Sequence, residues 1–273
     1  MSTAKIFTLV NQKGGVGKTT SAINIGAYLG EYGQKVLIVD LDPQANATSC
    51  LGIEKANVKN GTYEVIIGTS PISPSILFNP RLKLSILPSS PALAGAEVEL
   101  LDLKGREFKL QESLAPILDR YNYILVDCPP SLSILTVNGL VAARDGVIIP
   151  VQCEYLALEG IGQLTQTLKR VTGSLFPNLK VRGVILTMFD GRTKLATEVV
   201  SEVRKFFPTQ VFQTIIPRSI RLAEAPSYGL PITLYAPSSA AARSYASLAR
   251  EILQQDGIQV PVNLDEEMMK HGT

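Results

Sequence analysis

Short apolar runs of five to eight residues recur along the chain, and stretches with helical spacing lie between them. Ile6 to Val10, Lys35 to Asp40, Asn122 to Asp127, Gly146 to Val151, Val181 to Met188 and Phe212 to Ile216 are such runs. They lack strict alternation, which suits strands covered on both faces, as in a parallel sheet between layers of helices. Ile23, Ala27 and Leu29 fall near one face of a helical pattern. Leu110, Leu114, Ile117 and Leu118 form an apolar stripe within Glu107 to Tyr121. Ala94 to Leu103, Leu132 to Ala143, Leu156 to Val171 and Ser239 to Gln255 also read as helices. Asn57 to Pro91 is rich in Pro, Ser, Gly and Asn, and reads as loops around one short strand, Leu82 to Leu87. The pattern predicts an α/β fold in three layers, a doubly wound and mostly parallel sheet with helices on both faces. A single domain is expected over residues 1–256. Residues 257–273 form a loose tail that holds Asp265-Glu266-Glu267 and the one histidine, His271.

Composition narrows the class without choosing a partner. With 273 residues, 45% hydrophobic and 18% charged, the chain can bury a sizeable core and is not a disordered one. A net charge of +2 neither demands nor excludes nucleic acid, because a local basic patch vanishes in a whole-chain sum. Cys50, Cys128 and Cys153 are widely spaced and form no C-x-x-C pair, so reduced thiols in a cytoplasmic protein are expected. No uninterrupted apolar stretch of about 18 residues is present to span a bilayer.

The chemistry is concentrated after the first apolar run. Lys13-Gly14-Gly15-Val16-Gly17-Lys18-Thr19-Thr20 stands between a predicted strand and a predicted helix. Glycines let successive backbone N–H groups turn inward, and the helix adds its positive N-terminal end, so the arrangement makes a phosphate cradle. In it Lys18 would reach the β- and γ-phosphates of ATP, and Thr19 would offer its hydroxyl to Mg²⁺. The usual P-loop glycine is replaced by Gln12, and a second lysine, Lys13, precedes the glycine pair. Two ammonium groups on one loop would meet at close range unless one points elsewhere. One resolution is that Lys13 reaches the phosphates of a second copy, as an arginine finger does in trans. ATP would then drive homodimer formation.

Two further runs end in carboxylates, and in parallel sheets functional groups collect at strand carboxyl ends. Asp127 opens Asp127-Cys128-Pro129-Pro130 in a Walker B arrangement, holding Mg²⁺ directly or through water. Asp40 and Asp42 occupy alternate positions, hence one side of an extended segment. The alternative is that either only caps the helix that Asn46 to Leu51 could begin. Arg192, Arg218 and Arg221 lie in loops after strands, where an exposed rim of guanidinium groups would hold DNA phosphates without reading bases. Isolated arginines of this kind also simply solvate a surface.

KGGVGKTT together with DLDPQANAT and DCPPSL resembles the ParA/MinD group of deviant Walker ATPases, and within it the Soj-type partitioning ParA proteins. The resemblance runs from Lys5 to about Leu253. It implies a slow ATPase that dimerises on MgATP, binds double-stranded DNA non-specifically, associates with the nucleoid, and is stimulated by a ParB-like centromere-binding protein. It implies that Asp42 orients the attacking water, with Asp40 near Mg²⁺ and Glu154 near the partner's ribose. Glu154 is also placed as an N-terminal acid of the next helix. By resemblance Met188, Pro217 and Ser219 wall the adenine, and Arg192 and Arg221 match basic nucleoid-binding positions. A MinD-like membrane-surface ATPase would carry a basic amphipathic C-terminal helix, whereas this C-terminus is acidic and proline-broken. No membrane partner is therefore expected. Cargo positioning on DNA, and ATP-driven small-molecule synthesis, are the other readings this group allows.

Overall fold

The computed structural model describes residues 3–155 and 157–260. Eight strands are present among them: β1 (Lys5–Leu9), β2 (Val36–Asp40), β3 (Leu77–Asn79), β4 (Leu84–Leu87), β5 (Tyr123–Asp127), β6 (Gly146–Gln152), β7 (Val181–Phe189) and β8 (Val211–Pro217). They form one sheet in the order β3-β4-β2-β5-β1-β6-β7-β8, parallel throughout except for the antiparallel edge pair of β3 and β4. Alternate residues of each central strand enter different layers, as the two-residue period requires. Phe7, Leu9, Val36, Ile38 and Leu125 pack under helices Lys18–Glu31 and Ala240–Gln255. Ile6, Leu37, Val39, Ile124 and Val126 pack against the opposite layer, which includes helices Leu93–Glu99, Lys109–Leu114 and Ile134–Ala142. The expected three-layer α/β architecture is the one found.

Register fixes the position of the chemistry. Leu9, at the end of β1, pairs with Asp127, and Asp127 pairs with Asp40 on its other side. The glycine loop and both carboxylate-bearing ends therefore emerge side by side at the carboxyl edge of the sheet.

Differences from expectation arise where long-range contacts override local composition. Within Asn57 to Pro91 the chain also forms helices Thr62–Ile67 and Ile72–Ser75 and the short strand β3. Thr62 anchors the first of these by donating to the Asp40 carbonyl, while Val65 and Ile66 are buried. The helix expected over Glu107 to Tyr121 is broken into 3₁₀ and α segments. Pro116 stands where the α-helical part gives way at Ala115–Ile117, because it offers no N–H to continue the ladder. Its stripe residues Leu110, Leu114 and Ile117 are nevertheless buried. Arg221, expected in a loop, lies in the helix Ile220–Glu224. Ile258 and Val260, placed in the tail, pack partly buried against the core. Leu156, as the start of a helix, and the acidic run with His271 lie outside the described residues.

Helix Ile134–Ala142 approaches the carboxyl end of β5 closely because Gly139 has no side chain. A Cβ there would stand 2.5 Å from the Cys128 sulfur and 3.3 Å from Thr8. Gly139→Ala should therefore lower stability by about 1–3 kcal/mol, read as a fall in denaturant midpoint at unchanged m-value.

Candidate nucleotide site

The glycine loop is held in shape from both sides. Gly15 and Gly17 adopt left-handed conformations, φ 73° and 89°, which a residue with a Cβ seldom takes. Asn11, buried at the end of β1, accepts from the Lys13 N–H at 3.0 Å and donates to the Pro150 carbonyl on β6 at 2.8 Å. Thr187 on β7 donates to the Val16 carbonyl at 2.9 Å. Helix Lys18–Glu31 begins directly after Gly17, with no side-chain cap on its first N–H groups, so those donors face the loop.

Lys18 is buried, and its ammonium donates to the Lys13 carbonyl at 3.3 Å. Burial lowers its pKa, an effect opposed by the charges of Asp127 and Asp42. Thr19 donates its hydroxyl to Asp127 Oδ2 at 2.7 Å. The other oxygen, Oδ1, is buried without a hydrogen-bond partner among the described residues. Burial, followed by the neighbouring charge of Asp40, raises the Asp127 pKa to about 8. A carboxylate so disfavoured, with one oxygen left over and a hydroxyl beside it, fits a hard cation that takes oxygen ligands, as Mg²⁺ does.

Asp40 and Asp42 differ in what they have left to give. Asp40 is fully buried; Oδ2 accepts from the Thr48 N–H at 2.8 Å and hydroxyl at 2.6 Å, and Oδ1 accepts from the Asp42 N–H at 3.2 Å. These contacts brace the helix Asn46–Cys50 and the Asp42 backbone. Burial raises its pKa to about 6. Asp42 uses Oδ1 to accept from the Gln44 N–H at 2.9 Å, while its carbonyl accepts from Ser89 Oγ at 2.8 Å. No protein donor reaches Asp42 Oδ2 among the described residues.

Met188, Pro217 and Ser219 gather at the carboxyl ends of β7 and β8, where Phe189 pairs with Pro217 and its carbonyl accepts from the Arg218 N–H at 2.9 Å. Met188 sits at φ 53°, an unusual conformation for a residue with a side chain. Glu154, just after β6, accepts from Arg218 at 2.7 Å. Arg192 forks onto Asp190 at 2.8 and 2.7 Å, and Arg221 donates to Glu224 at 3.0 Å. All three rim arginines thus carry a carboxylate partner. The side chain of Lys13, half-buried, makes no hydrogen bond or ion pair among the described residues; its contacts are through the backbone.

Asn11, Thr48, Ser89 and Thr187 belong to the site's frame but were not singled out in the sequence. Asn11 had a signal, a polar residue closing an apolar strand directly before the loop. Thr48 closes the quoted DLDPQANAT run, but nothing local ties it to Ser89, since their link spans 41 residues.

Comparison with known proteins agrees with this geometry. A family model described as "AAA domain" matches residues 4–181. The chromosome-partitioning ATPase Soj of Treponema pallidum is 52% identical over 253 residues, covering 93% of this chain and 98% of that protein. The chromosome partitioning protein ParA of Myxococcus xanthus is 48% identical over 258 residues, 94% of this chain and 90% of that protein. Among solved structures, a cobyrinic acid a,c-diamide synthase from Mycobacterium smegmatis with bound ATP analog and magnesium superposes with a TM-score of 0.81 at 35% identity, covering 94% of this chain and 98% of that one. With a sheet order, a two-lysine glycine loop and near-full-length matches of this kind, the chain belongs to the ParA/MinD family, among its ParA and Soj members.

Proposed function

We propose that this protein is a partitioning ATPase, switched by MgATP between a free form and a dimer that holds DNA. The observation that carries the reading is the unpartnered Oδ1 of buried Asp127 beside Thr19 and Lys18 at the mouth of the glycine loop. Lys18 would leave the Lys13 carbonyl for phosphate oxygens, and backbone groups of Gly14, Gly15, Val16, Gly17 and Thr20 would cradle them. Thr19 and Asp127 would hold magnesium, with Asp40 bracing the segment behind them. Magnesium, when bound, supplies charge neutralisation at the phosphates. Met188, Pro217 and Ser219 would flank the base. Lys13 is the residue assigned to a second copy's phosphates, since its ammonium has no partner among the described residues. Asp42 would position water with its free oxygen.

Arg192, Arg218 and Arg221 would exchange carboxylate for DNA phosphate, and the exchange is near-balanced one by one. Only the sum over two copies makes a usable grip, which ties DNA binding to the dimer and places the active form on the nucleoid. A ParB-like protein would stimulate hydrolysis and release. This reading is supported by 48–52% identity to partitioning proteins. The synthase match, at 35%, is what favours ATP-driven small-molecule chemistry as a second reading.

Binding to a fluorescent duplex is measured with ATP, ADP and no nucleotide, beside light-scattering mass. ATP should give a dimer and DNA binding together. With six arginines engaged, the slope of log affinity against log salt should be about −5. DNA binding that is independent of nucleotide and flat in salt refutes the switch, and turnover indifferent to DNA and partner returns the question to the synthase reading.

A further inference from the structure

The outer edge of the sheet carries an apolar feature that the nucleotide site does not use. Among the described residues β3 is the last strand on its side and pairs only with β4, leaving its outer backbone edge without a strand partner. Leu77 and Phe78 on it are 46% and 65% exposed. Phe78 stands between two cavities. One, of about 340 Å³, is backed by Leu51, Ile53 and Leu82; the other, of about 500 Å³, is backed by Val36, Ile76 and Tyr121. A single exposed phenylalanine is ordinary, and a short edge strand often serves only to prevent pairing. A guard strand, however, puts charge where a visitor would bind. Here the strand offers two adjacent apolar side chains with a cavity on each side.

The charged side chains that line the cavities have one sign. Neither cavity is lined by a carboxylate, whereas Lys35, Lys83 and Arg120 line the larger one. Lys83 is paired with Glu31 at 2.7 Å. Lys35, Arg120 and the adjacent exposed Arg81 form no ion pair among the described residues; Arg120 only donates to the Ser73 hydroxyl. Lys35 and Lys83 precede β2 and β4, so the basic rim lies at the amino ends of these strands, away from the glycine loop.

We propose that this edge is a docking site for an extended peptide segment of a partner protein in which apolar and acidic residues alternate. The segment adds a strand outside β3 and, because its successive side chains point to opposite faces, sets its apolar side chains toward the smaller, uncharged cavity beside Leu77 and Phe78 and directs its carboxylates to the other face, toward Lys35 and Arg120 of the larger one. It is independent of the nucleotide reading, and both ligands fit at once because they occupy opposite ends of the strands.

Peptides from a random display library are selected on the full-length protein, with counter-selection on Phe78→Asp, and the enriched ones are synthesised. They should alternate apolar and acidic residues and lose affinity with rising salt. Phe78→Ala, and separately Lys35→Glu with Arg120→Glu, should each weaken binding by about tenfold or more. Because all three residues are exposed, unchanged thermal unfolding of the variants shows that the fold is kept. The proposal is overturned by a lack of enrichment, by enriched peptides without acidic residues, or by binding indifferent to both sets of substitutions. Concentration-dependent self-association abolished by Phe78→Ala gives the edge to a second copy and overturns it too. So does peptide binding that appears only after residues 261–273 are removed, which gives the edge to the chain's own end.

Discussion

Lys13→Ala is expected to leave a protein that binds ATP as a monomer and has lost its hold on DNA. The prediction follows from what the residue does within its own chain. Its N–H donates to Asn11 and its carbonyl accepts from Lys18, so both contacts that shape the loop come from the backbone and survive the substitution. The ammonium, by contrast, has no partner among the described residues. If that charge serves a second copy, its loss should cost about 2–5 kcal/mol at the interface, roughly 30- to 5,000-fold in dimer dissociation constant. Nucleotide affinity of the monomer should change little, because Lys18, Thr19 and Asp127 are untouched. Sedimentation or light scattering with magnesium and a non-hydrolysable triphosphate reads the first effect, and titration with a fluorescent nucleotide reads the second. A variant that dimerises like wild type would show that Lys13 acts in its own chain, and the trans role would be lost. DNA affinity should fall in step with dimer population, which separates an interface defect from direct damage to the arginine rim.

The chain is legible where a short segment carries its own physical constraint. The glycine loop must curl whatever lies around it, and apolar runs ending in Asp40 and Asp127 must be covered strands with their carboxylates at one edge. The register then brings those two ends level. What stayed hidden depends on groups far apart in the chain. Thr62–Ile67 does carry local signals, Glu64 accepting from the Gly61 N–H at 2.7 Å and Gly68 closing the helix at φ 82°, but the surrounding Ser, Gly and Pro mask them, and Thr62 adds a bond to the Asp40 carbonyl 22 residues away. The rim arginines were legible as exposed cations. Their pairing with Asp190, Glu154 and Glu224 was not, because only the Arg192 and Arg221 partners are near in sequence and Glu154 lies 64 residues from Arg218. The difference between Asp40 and Asp42 is of the same kind. Alternation put both on one side, yet the folded chain spends every oxygen of Asp40 on Thr48 and the Asp42 backbone, and leaves Asp42 with one to use.

That inequality makes Asp42→Ala the most informative substitution for turnover. The Asp42 segment keeps its course through three backbone links: its N–H to Asp40, and its carbonyl accepting from Ser89 Oγ and from the Ala45 N–H at 2.8 Å each. Removal of the carboxylate breaks one side-chain hydrogen bond, to the Gln44 N–H, at a cost of about 0.5–1.5 kcal/mol in stability. Loss of a group that positions and deprotonates water should lower kcat far more, by about 10²–10⁴-fold. ATP binding, dimer formation and DNA binding should persist, and the dimer should outlast that of wild type because the step that ends it is blocked. Asp42→Asn sharpens the comparison, since its amide oxygen still accepts from Gln44 but the side chain no longer takes a proton. It should match wild type in thermal unfolding and match Asp42→Ala in turnover. Phosphate release measured under single-turnover conditions decides the matter. If either variant hydrolyses ATP at the wild-type rate, Asp42 is only the turn residue its Oδ1 contact describes, and the attacking water is held by another group at this edge of the sheet.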